Sequence, residues 1–260
     1  MTSIYKENTV LNIVIPMAGR GSRFANAGYK LPKPLIPVHG HPMIRLVMQN
    51  LRPRQPHRFI FLCLQEHIEK YAVDRLLKDW EPGCEIVIVD QVTEGAACTV
   101  LLAKKLINNN DSLMIANSDQ WVDTDINAYL DMMKAKKLDG LIMTMWADDP
   151  KWSFVRINDQ GHVTEVVEKK VISNEATVGI YNFSRGSDFV AAAEKMIEKD
   201  ERVNGEFYVA PVYNELISRG QAIGYFNIGK VGDGMYGLGV PEDLDQFISL
   251  PVSAKAIDPA

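Results

Sequence analysis

A short apolar run, Leu11–Ile15, leads into a glycine-rich turn that spans Gly19–Arg23. Apolar runs of this length are typical of buried β-strands. Glycines allow backbone N–H groups to approach an anion closely, and Arg23 adds a fixed positive charge. A second cation, Lys33, follows ten residues after Arg23 and stands between two prolines. This combination predicts a loop that binds a polyphosphate at the end of a strand.

Two common phosphate-binding motifs do not fit this turn. The dinucleotide-binding fingerprint needs a third Gly or Ala where this chain has Phe24, and the Gly-Lys-Ser/Thr of a P-loop is missing. The turn does resemble the signature of the nucleoside-diphosphate-sugar pyrophosphorylases, a family of sugar-phosphate nucleotidyltransferases that carries G-x-G-x-R followed by Pro-Lys-Pro. The matching residues are Gly19, Gly21, Arg23, Pro32, Lys33 and Pro34.

The composition restricts the classes of protein that fit. The chain has 260 residues, of which 47% are hydrophobic and 23% charged, as in an ordinary globular domain. Its net charge of −5 disfavours broad contact with nucleic-acid phosphates. We expect no membrane insertion, because no run of 18 apolar residues occurs and the N-terminus lacks an apolar signal core. Three cysteines without metal-binding spacing favour a reducing compartment, so we expect a cytoplasmic protein.

Strand-like and helix-like patterns alternate through the first part of the chain. The strand candidates after the first are Phe59–Leu64, Cys84–Val89, Leu113–Ala116 and Leu141–Trp146. The helix candidates are Met43–Leu51, Ile68–Trp80, Ala96–Ile107 and Ile126–Lys137. This alternation predicts an α/β protein with a three-layer, GT-A or Rossmann-like fold around a mainly parallel central sheet. Such sheets bind ligands beyond the carboxyl ends of their strands, where the glycine-rich turn lies.

The pattern changes after about residue 147. A hairpin-like turn and a further strand candidate, Thr177–Phe183, are followed by the helical patterns Phe189–Lys199 and Tyr208–Ser218 and by the extended segment Ala222–Ile228. We expect one nucleotidyltransferase domain over residues 1–250. In this interpretation residues 11–147 bind the nucleotide, residues 148–248 bind the acceptor, and residues 251–260 form a mobile tail.

Asp119 is the candidate metal ligand. It follows the apolar run Leu113–Ala116, and a carboxylate at a strand end that faces a phosphate loop suits Mg²⁺. The family resemblance implies the same role, because an Asp at the corresponding strand end binds the metal there. A turn-capping role is the alternative. The nearby Asp123–Asp125 segment is a literal D-x-D, the metal motif of GT-A glycosyltransferases, but Asp125 directly precedes a helical pattern and is better interpreted as a helix N-cap.

The resemblance also implies the nucleotide contacts. Family members place small residues at the start of the helix after the third strand, where the nucleobase lies against the backbone, and Gly95 matches that glycine. Small residues at a helix start are also common for packing reasons, so both interpretations stay open. The implied nucleotide-binding residues are Met17, Ala18, Gly19, Gly21, Glu94, Gly95, Ala96 and Ser118.

The acceptor site is implied by three weaker matches in the second half. Glu168-Lys169 resembles the family's Glu-Lys-Pro, whose lysine contacts the sugar phosphate, although Lys170 replaces the proline. Gly179 resembles a glycine that gives the sugar ring access to backbone, and Glu206 lies in a segment like the family's acidic, sugar-contacting one. The implied acceptor-binding residues are therefore Glu168, Lys169, Gly179 and Glu206.

One position departs from the family where it matters for the metal. The family pattern Trp-x-Asp-x-Gly-Thr-Pro-Glu supplies a second metal ligand, but Gly237 stands in place of its Asp. Either a single carboxylate is enough, or Asp233, four residues upstream, substitutes for it.

The resemblance implies a nucleotidyltransferase that condenses a nucleoside triphosphate with a phosphorylated sugar or related small phosphate and releases pyrophosphate. Arg23 and Lys33 would be its catalytic cations, and Mg²⁺ its cofactor. A bacterial surface-polysaccharide precursor is the expected product, and a homo-oligomer is left open. The alternatives are a CTP-dependent cytidylyltransferase for a non-sugar phosphate, a GT-A glycosyltransferase that uses a sugar nucleotide, and a regulatory subunit without activity.

Overall fold

Apolar segments along the chain become the strands of one large sheet in the computed structural model, which describes residues 10–257. The strands of this part of the chain, numbered in order, are β1 Leu11–Pro16, β2 Pro37–Val38, β3 His41–Pro42, β4 His57–Leu64, β5 Glu85–Val89, β6 Ser112–Ala116, β7 Gln120–Val122, β8 Gly140–Trp146, β9 Ser153–Ile157, β10 Val163–Glu168, β11 Glu175–Phe183, β12 Ile223–Val231 and β13 Gly234–Gly237. All of them except the short β2–β3 pair belong to the large sheet.

Helices connect most of these strands. The α-helices are α1 Ser22–Asn26, α2 Met43–Leu51, α3 Gln65–Tyr71, α4 Val73–Trp80, α5 Ala96–Leu101, α6 Lys104–Ile107, α7 Ile126–Ala135, α8 Gly186–Glu198, α9 Tyr213–Ser218 and α10 Pro241–Ser249. Short 3₁₀ helices cover Lys33–Leu35, Ala210–Val212 and Pro251–Ala256.

The predicted mainly parallel sheet is confirmed. Its strand order is β5-β4-β1-β6-β11-β8-β12-β13-β7, with the β9–β10 hairpin attached to β11. Eight of its eleven described strands run in one direction, namely β5, β4, β1, β6, β8, β12, β13 and β9, and β11, β7 and β10 run against them. Because β1 is central, its Leu11–Ile15 run is buried throughout, as expected for a strand covered by helices on both faces.

Alternate residues of β1 pack on opposite faces of the sheet. Ile13 and Ile15 belong to a core cluster with helices α2, α4 and α7, whereas Val14 belongs to a cluster with α5, α8 and α9. This alternation follows from the two-residue period of a strand. It gives the three layers that the sequence pattern predicts.

A strand from the second half of the chain is inserted between strands of the first half. Strand β11 lies between β6 and β8, and its Gly179 carbonyl accepts a hydrogen bond from the N–H of Asn117 at 3.0 Å. The amino half of an antiparallel strand therefore meets the carboxyl ends of its parallel neighbours. Residues from both halves of the chain face one edge of the sheet.

Several predicted helices are shorter or broken. The predicted helix Ile68–Trp80 is two helices, α3 and α4, because Ala72 adopts a left-handed conformation with φ 51°. The predicted helix Ala96–Ile107 is also split, into α5 and α6. The segment predicted as Tyr208–Ser218 becomes α-helical only at Tyr213, after a 3₁₀ turn that contains Pro211.

The segment predicted to be a mobile tail is packed on the domain as far as Ile257. Pro251–Ala256 forms a 3₁₀ helix in which Ser253 and Ala256 are buried. The Ser253 hydroxyl lies 2.7 Å from Nε2 of His39, and Lys255 pairs with Asp123 at 2.9 Å. The apolar residues of this segment explain the packing, since they join a cluster around Phe247. The last part of the predicted tail, residues 258–260, lies outside the described residues.

The N-cap interpretation of the D-x-D segment is confirmed. The Asp125 side chain caps α7 by accepting a hydrogen bond from the N–H of Asn127 at 2.9 Å, which lowers the pKa of the carboxyl. Its neighbour Asp123 is the partner of Lys255. Both carboxylates of the D-x-D therefore have structural partners.

Replacing Asp125 tests this role. Asp125→Ala removes the cap, so we expect the free energy of unfolding to fall by about 0.5–2 kcal/mol, as measured by urea denaturation. The matched control is Asp131→Ala, an exposed position within the same helix, which we expect to be nearly neutral. A folded Asp125→Ala protein without activity would contradict a purely structural role.

Candidate active site

The glycine-rich turn forms one wall of an open cleft at the carboxyl end of β1. The N–H of Met17, which is buried, donates to the carbonyl of Leu62 at 3.0 Å and ties the turn to β4. Gly21 adopts φ +60°, which favours glycine, and a Cβ at this position would lie 3.1 Å from the Cβ of Lys33. The absence of a side chain at Gly21 therefore lets the Pro-Lys-Pro segment pack against the turn.

Lys33 and Asp119 form an ion pair inside this cleft. Lys33 Nζ donates to Asp119 Oδ2 at 2.8 Å, and the two side chains are only 20% and 27% exposed. The Asp119 carbonyl accepts from the N–H of Leu238 at 2.8 Å, and a Cβ on Gly239 would come within 2.6 Å of the same Oδ2. The predicted catalytic lysine and the predicted metal ligand are thus in direct contact.

The cleft has a volume of about 580 Å³ and collects most of the predicted nucleotide site. The predicted site residues that line it are Met17, Ala18, Gly19, Gly21, Arg23, Lys33, Gly95, Ala96, Ser118, Asp119 and Glu206. Arg23 is exposed on its wall. Glu206, which the resemblance assigns to the acceptor, is therefore placed beside the nucleotide residues.

A second cavity of about 280 Å³ adjoins the cleft, and Ala96 and Asn117 line both. Its other walls come from the second half of the chain and include Trp152, Glu168 and Gly179. A ligand that spans the two cavities would contact both halves of the protein.

Glu168 is a buried carboxylate in the wall of the second cavity. The hydroxyl of Ser153 donates to its Oε2, and Lys169 Nζ lies 3.4 Å from its Oε1. The Lys169 ammonium also sits 5.1 Å from the ring centre of Tyr208, at the rim rather than in the lining. Burial, reinforced by the nearby Glu206 carboxylate, raises the pKa of Tyr208 to about 12, so its hydroxyl stays protonated at neutral pH.

A close backbone contact brings Glu206 to the cleft. The N–H of Phe207 donates to the Glu94 carbonyl at 2.8 Å, and the N–H of Ala97 donates to the Phe207 carbonyl at 3.0 Å. A Cβ on Gly95 would lie 2.4 Å from the Phe207 carbonyl oxygen, so this contact by itself requires glycine. The Glu94 side chain pairs with Arg202 at 2.9 Å and does not line the cleft. Nucleobase contact by Gly95 stays a prediction.

The sequence analysis missed Asn117 and Trp152. A Cβ on Gly179, whose φ is +84°, would lie 2.1 Å from Nδ2 of Asn117, so glycine at 179 makes room for this amide. The position of Asn117, directly before Ser118-Asp119, is the signal that could have found it. Trp152, just before β9, carries no comparable signal, because tryptophan at a strand start is common in ordinary cores.

Asp233 does not replace the family's second metal ligand. The N–H of Asp123 bonds the Gly234 carbonyl at one end of the β7–β13 ladder, whereas Gly237 pairs with Gln120 at the other. Four residues of strand separate Asp233 from Gly237 by about 13 Å. Within residues 10–257, no group of three or more His, Cys, Asp or Glu side chains could hold a metal. Asp119 alone still fits Mg²⁺, which binds through one or two carboxylates together with substrate phosphates and water.

Known proteins share this architecture. The crystal structure of a nucleoside-diphosphate-sugar pyrophosphorylase from Vibrio cholerae RC9 is 27% identical, with a TM-score of 0.75, over 92% of this chain and 100% of that one. The inositol-1-phosphate CTP transferase from T. maritima has a TM-score of 0.73 over 97% of this chain and 98% of its own, and at 14% identity it shows the fold alone.

Curated relatives are more distant in sequence. The bifunctional protein GlmU of Methanocaldococcus jannaschii is 22% identical over 228 residues, which is 86% of this chain and 52% of that protein. The low-salt glycan biosynthesis nucleotidyltransferase Agl11 of Haloferax volcanii is 24% identical over 250 residues, 94% of this chain and 67% of that protein. The chain spans about half the length of the GlmU relatives.

No helix within residues 10–257 has the length and apolar character needed to cross a membrane. The family model described as nucleotidyl transferase matches residues 13–229, which is most of the chain. On that match, this chain belongs to the nucleotidyl transferase family.

Proposed function

We propose that this protein transfers a nucleotidyl group from a nucleoside triphosphate to a phosphorylated sugar or a related small phosphate and releases pyrophosphate. One observation carries the proposal: Arg23, Lys33 and Asp119 meet in a cleft that opens onto a second cavity. Membership of the family supports the type of reaction. We extend the proposal to the synthesis of a surface-polysaccharide precursor, and the name of the Haloferax volcanii relative supports a role in glycan biosynthesis.

The reaction needs charge neutralisation more than proton transfer. An acceptor phosphate oxygen attacks the α-phosphorus in line, a new P–O bond forms, and the bond to the oxygen that bridges to the β-phosphate breaks. The acceptor phosphate is already an anionic nucleophile, so no general base is required, and catalysis depends on positioning and electrostatics. In this mechanism Arg23 holds the leaving pyrophosphate and Lys33 binds at the α-phosphate.

Asp119 is the residue that would hold Mg²⁺, with the remaining ligands supplied by phosphate oxygens and water. When bound, the metal neutralises phosphate charge and helps to orient the reacting oxygens. The main-chain bond from Leu238 fixes the Asp119 backbone in the wall of the cleft. Asp119 therefore has a defined position before any ligand arrives.

The second cavity is the proposed acceptor site. Its buried Glu168 carboxylate accepts hydrogen bonds, as recognition of sugar hydroxyls requires, and its aromatic walls suit the apolar face of a ring. In this proposal Lys169, which lies beside Glu168 and Tyr208, contacts the acceptor phosphate. A cytidylyltransferase for a non-sugar phosphate is compatible with the same geometry. A GT-A glycosyltransferase is disfavoured, because both carboxylates of the D-x-D have structural partners.

The proposed reaction is tested by offering each of the four nucleoside triphosphates with a panel of sugar phosphates and non-sugar phosphates. We expect pyrophosphate release with at least one pair and none when the acceptor is omitted. Transfer from a sugar nucleotide without pyrophosphate release would support the glycosyltransferase instead. The absence of either activity across the panel would support the regulatory subunit.

Replacing Arg23 tests the leaving-group clamp. Arg23→Ala removes an exposed cation from the cleft wall, so we expect kcat/KM to fall by about 10²–10³-fold, with thermal stability nearly unchanged. The matched control is Arg20→Ala in the same turn, since Arg20 does not line the cleft. Equal losses in the two variants would show that general charge, rather than the position of Arg23, accounts for the effect.

Replacing Lys169 tests the assignment of the second cavity. Lys169→Ala removes a charged contact to the acceptor phosphate, so we expect the acceptor KM to rise by about 10- to 150-fold while the nucleotide KM changes little. Lys170→Ala, at the exposed neighbouring residue, is the control. A nucleotide KM that rises as steeply as the acceptor KM would place Lys169 in the triphosphate site.

A further inference from the structure

The free cleft is not a strongly positive pocket. Its charged lining residues, among those described, are Arg23, Lys33, Asp119 and Glu206, two cations and two anions. In the ion pair between Lys33 and Asp119, one of these cations and one of these anions neutralise each other. Arg23 is then the only cation in the described lining without an ion-pair partner, which is too little for a triphosphate that carries several negative charges.

The Lys33–Asp119 pair occupies the two groups that the proposed function assigns to different ligands. Lys33 is needed at the α-phosphate and Asp119 at the metal, yet each is the other's partner at 2.8 Å. Both side chains are largely shielded from solvent, so salt screens this pair less than the exposed pairs elsewhere on the protein. The same carboxylate oxygen lies where a Cβ at position 239 would be, so glycine at that position leaves room for the pair.

Gly237, which stands where the family has an Asp, changes the charge expected near this ion pair. A second carboxylate near Asp119 would leave the site with a net negative charge even with Lys33 in place. This chain has Gly237 there, and a Cβ added to it would have the Asp243 carboxylate of α10 as its nearest neighbour, 3.2 Å away. The Lys33–Asp119 pair is itself electrically neutral, so it attracts a lone divalent cation less than a bare Asp119 carboxylate would.

From these observations we infer that the Lys33 ammonium competes with a metal cation for the Asp119 carboxylate. It keeps the metal from binding there until a polyphosphate arrives. The polyphosphate draws the Lys33 ammonium onto its own oxygens, and this frees Asp119 for the divalent cation that the polyphosphate carries. One ion pair is exchanged for two new contacts. Metal and polyphosphate therefore bind with positive coupling, and by linkage each strengthens the other. The inference rests on the roles that the proposed function gives Lys33 and Asp119.

The test measures Mn²⁺ binding to the intact protein without nucleotide, from the electron paramagnetic resonance signal of the free ion. We expect wild type to bind Mn²⁺ weakly and Lys33→Met to bind it at least about 10-fold more tightly, because the competing ammonium is gone. Lys33→Arg keeps a cation and should bind as weakly as wild type. Lys33→Met combined with Asp119→Asn should lose the gain.

The control is Lys104→Met, which frees the Glu194 carboxylate from a more exposed lysine pair outside the cleft and should leave Mn²⁺ affinity unchanged. Wild type that binds Mn²⁺ as tightly as Lys33→Met would overturn the inference. A gain that survives Asp119→Asn, or that Lys104→Met reproduces, would overturn it as well. Circular dichroism shows whether each variant is folded, and the Lys33→Arg comparison stays informative if the Met variant is not.

A second measurement tests the coupling. Inorganic tripolyphosphate is titrated into each protein variant by calorimetry, once in EDTA and once at saturating Mg²⁺. Because chelation of Mg²⁺ by free tripolyphosphate is the same for all variants, it cancels when the variants are compared. We expect the gain in affinity from Mg²⁺ to be larger in wild type than in Lys33→Met, and equal gains would refute the exchange. The proposed function fails separately, by absence of pyrophosphate release, so the two failures are distinguishable.

Discussion

The position of one antiparallel strand determines where the candidate site can lie. Strand β11 comes from the second half of the chain but hydrogen-bonds between β6 and β8 of the first half. The bond from Asn117 to the Gly179 carbonyl fixes its amino half beside the residues that precede Asp119. Because of this insertion, two cavities with largely separate walls share a boundary at Ala96 and Asn117.

Close backbone approaches hold the parts of this boundary together. Gly21, Gly95, Gly179 and Gly239 each abut a residue that the site uses or positions: Lys33, Phe207, Asn117 and Asp119. A Cβ at these glycines would lie 2.1–3.1 Å from a neighbouring atom, closer than van der Waals contact, so that neighbour would have to shift. The glycines thus fix the spacing of the site as much as they give the backbone freedom, and their effect is steric as well as conformational.

Much of the fold could be predicted from the sequence, since buried strands and amphipathic helices leave strong periodic signals. That Arg23 and Lys33 share a cleft with the glycine-rich turn was also predictable, because Gly19–Lys33 is continuous in sequence and its residue types have few other uses together. The helix break at Ala72 was not, because a left-handed alanine leaves no Gly or Pro signal. The packing of Ser253 and the placing of Glu206 in the cleft depend on contacts between distant segments, which local patterns do not encode.

The insertion of β11 between β6 and β8 also limits how the substrate specificity of such a protein can change in evolution. An acceptor-binding half that formed a separate lobe could be exchanged between relatives as a cassette. Here that half supplies a strand to the middle of the sheet, and its Phe207 backbone lies directly against Gly95. A chimera would have to match a sheet register and a glycine contact at once. Under the proposed function, new acceptors are therefore more readily reached by changing single side chains in the second cavity, such as Trp152 and Tyr208, than by recombination.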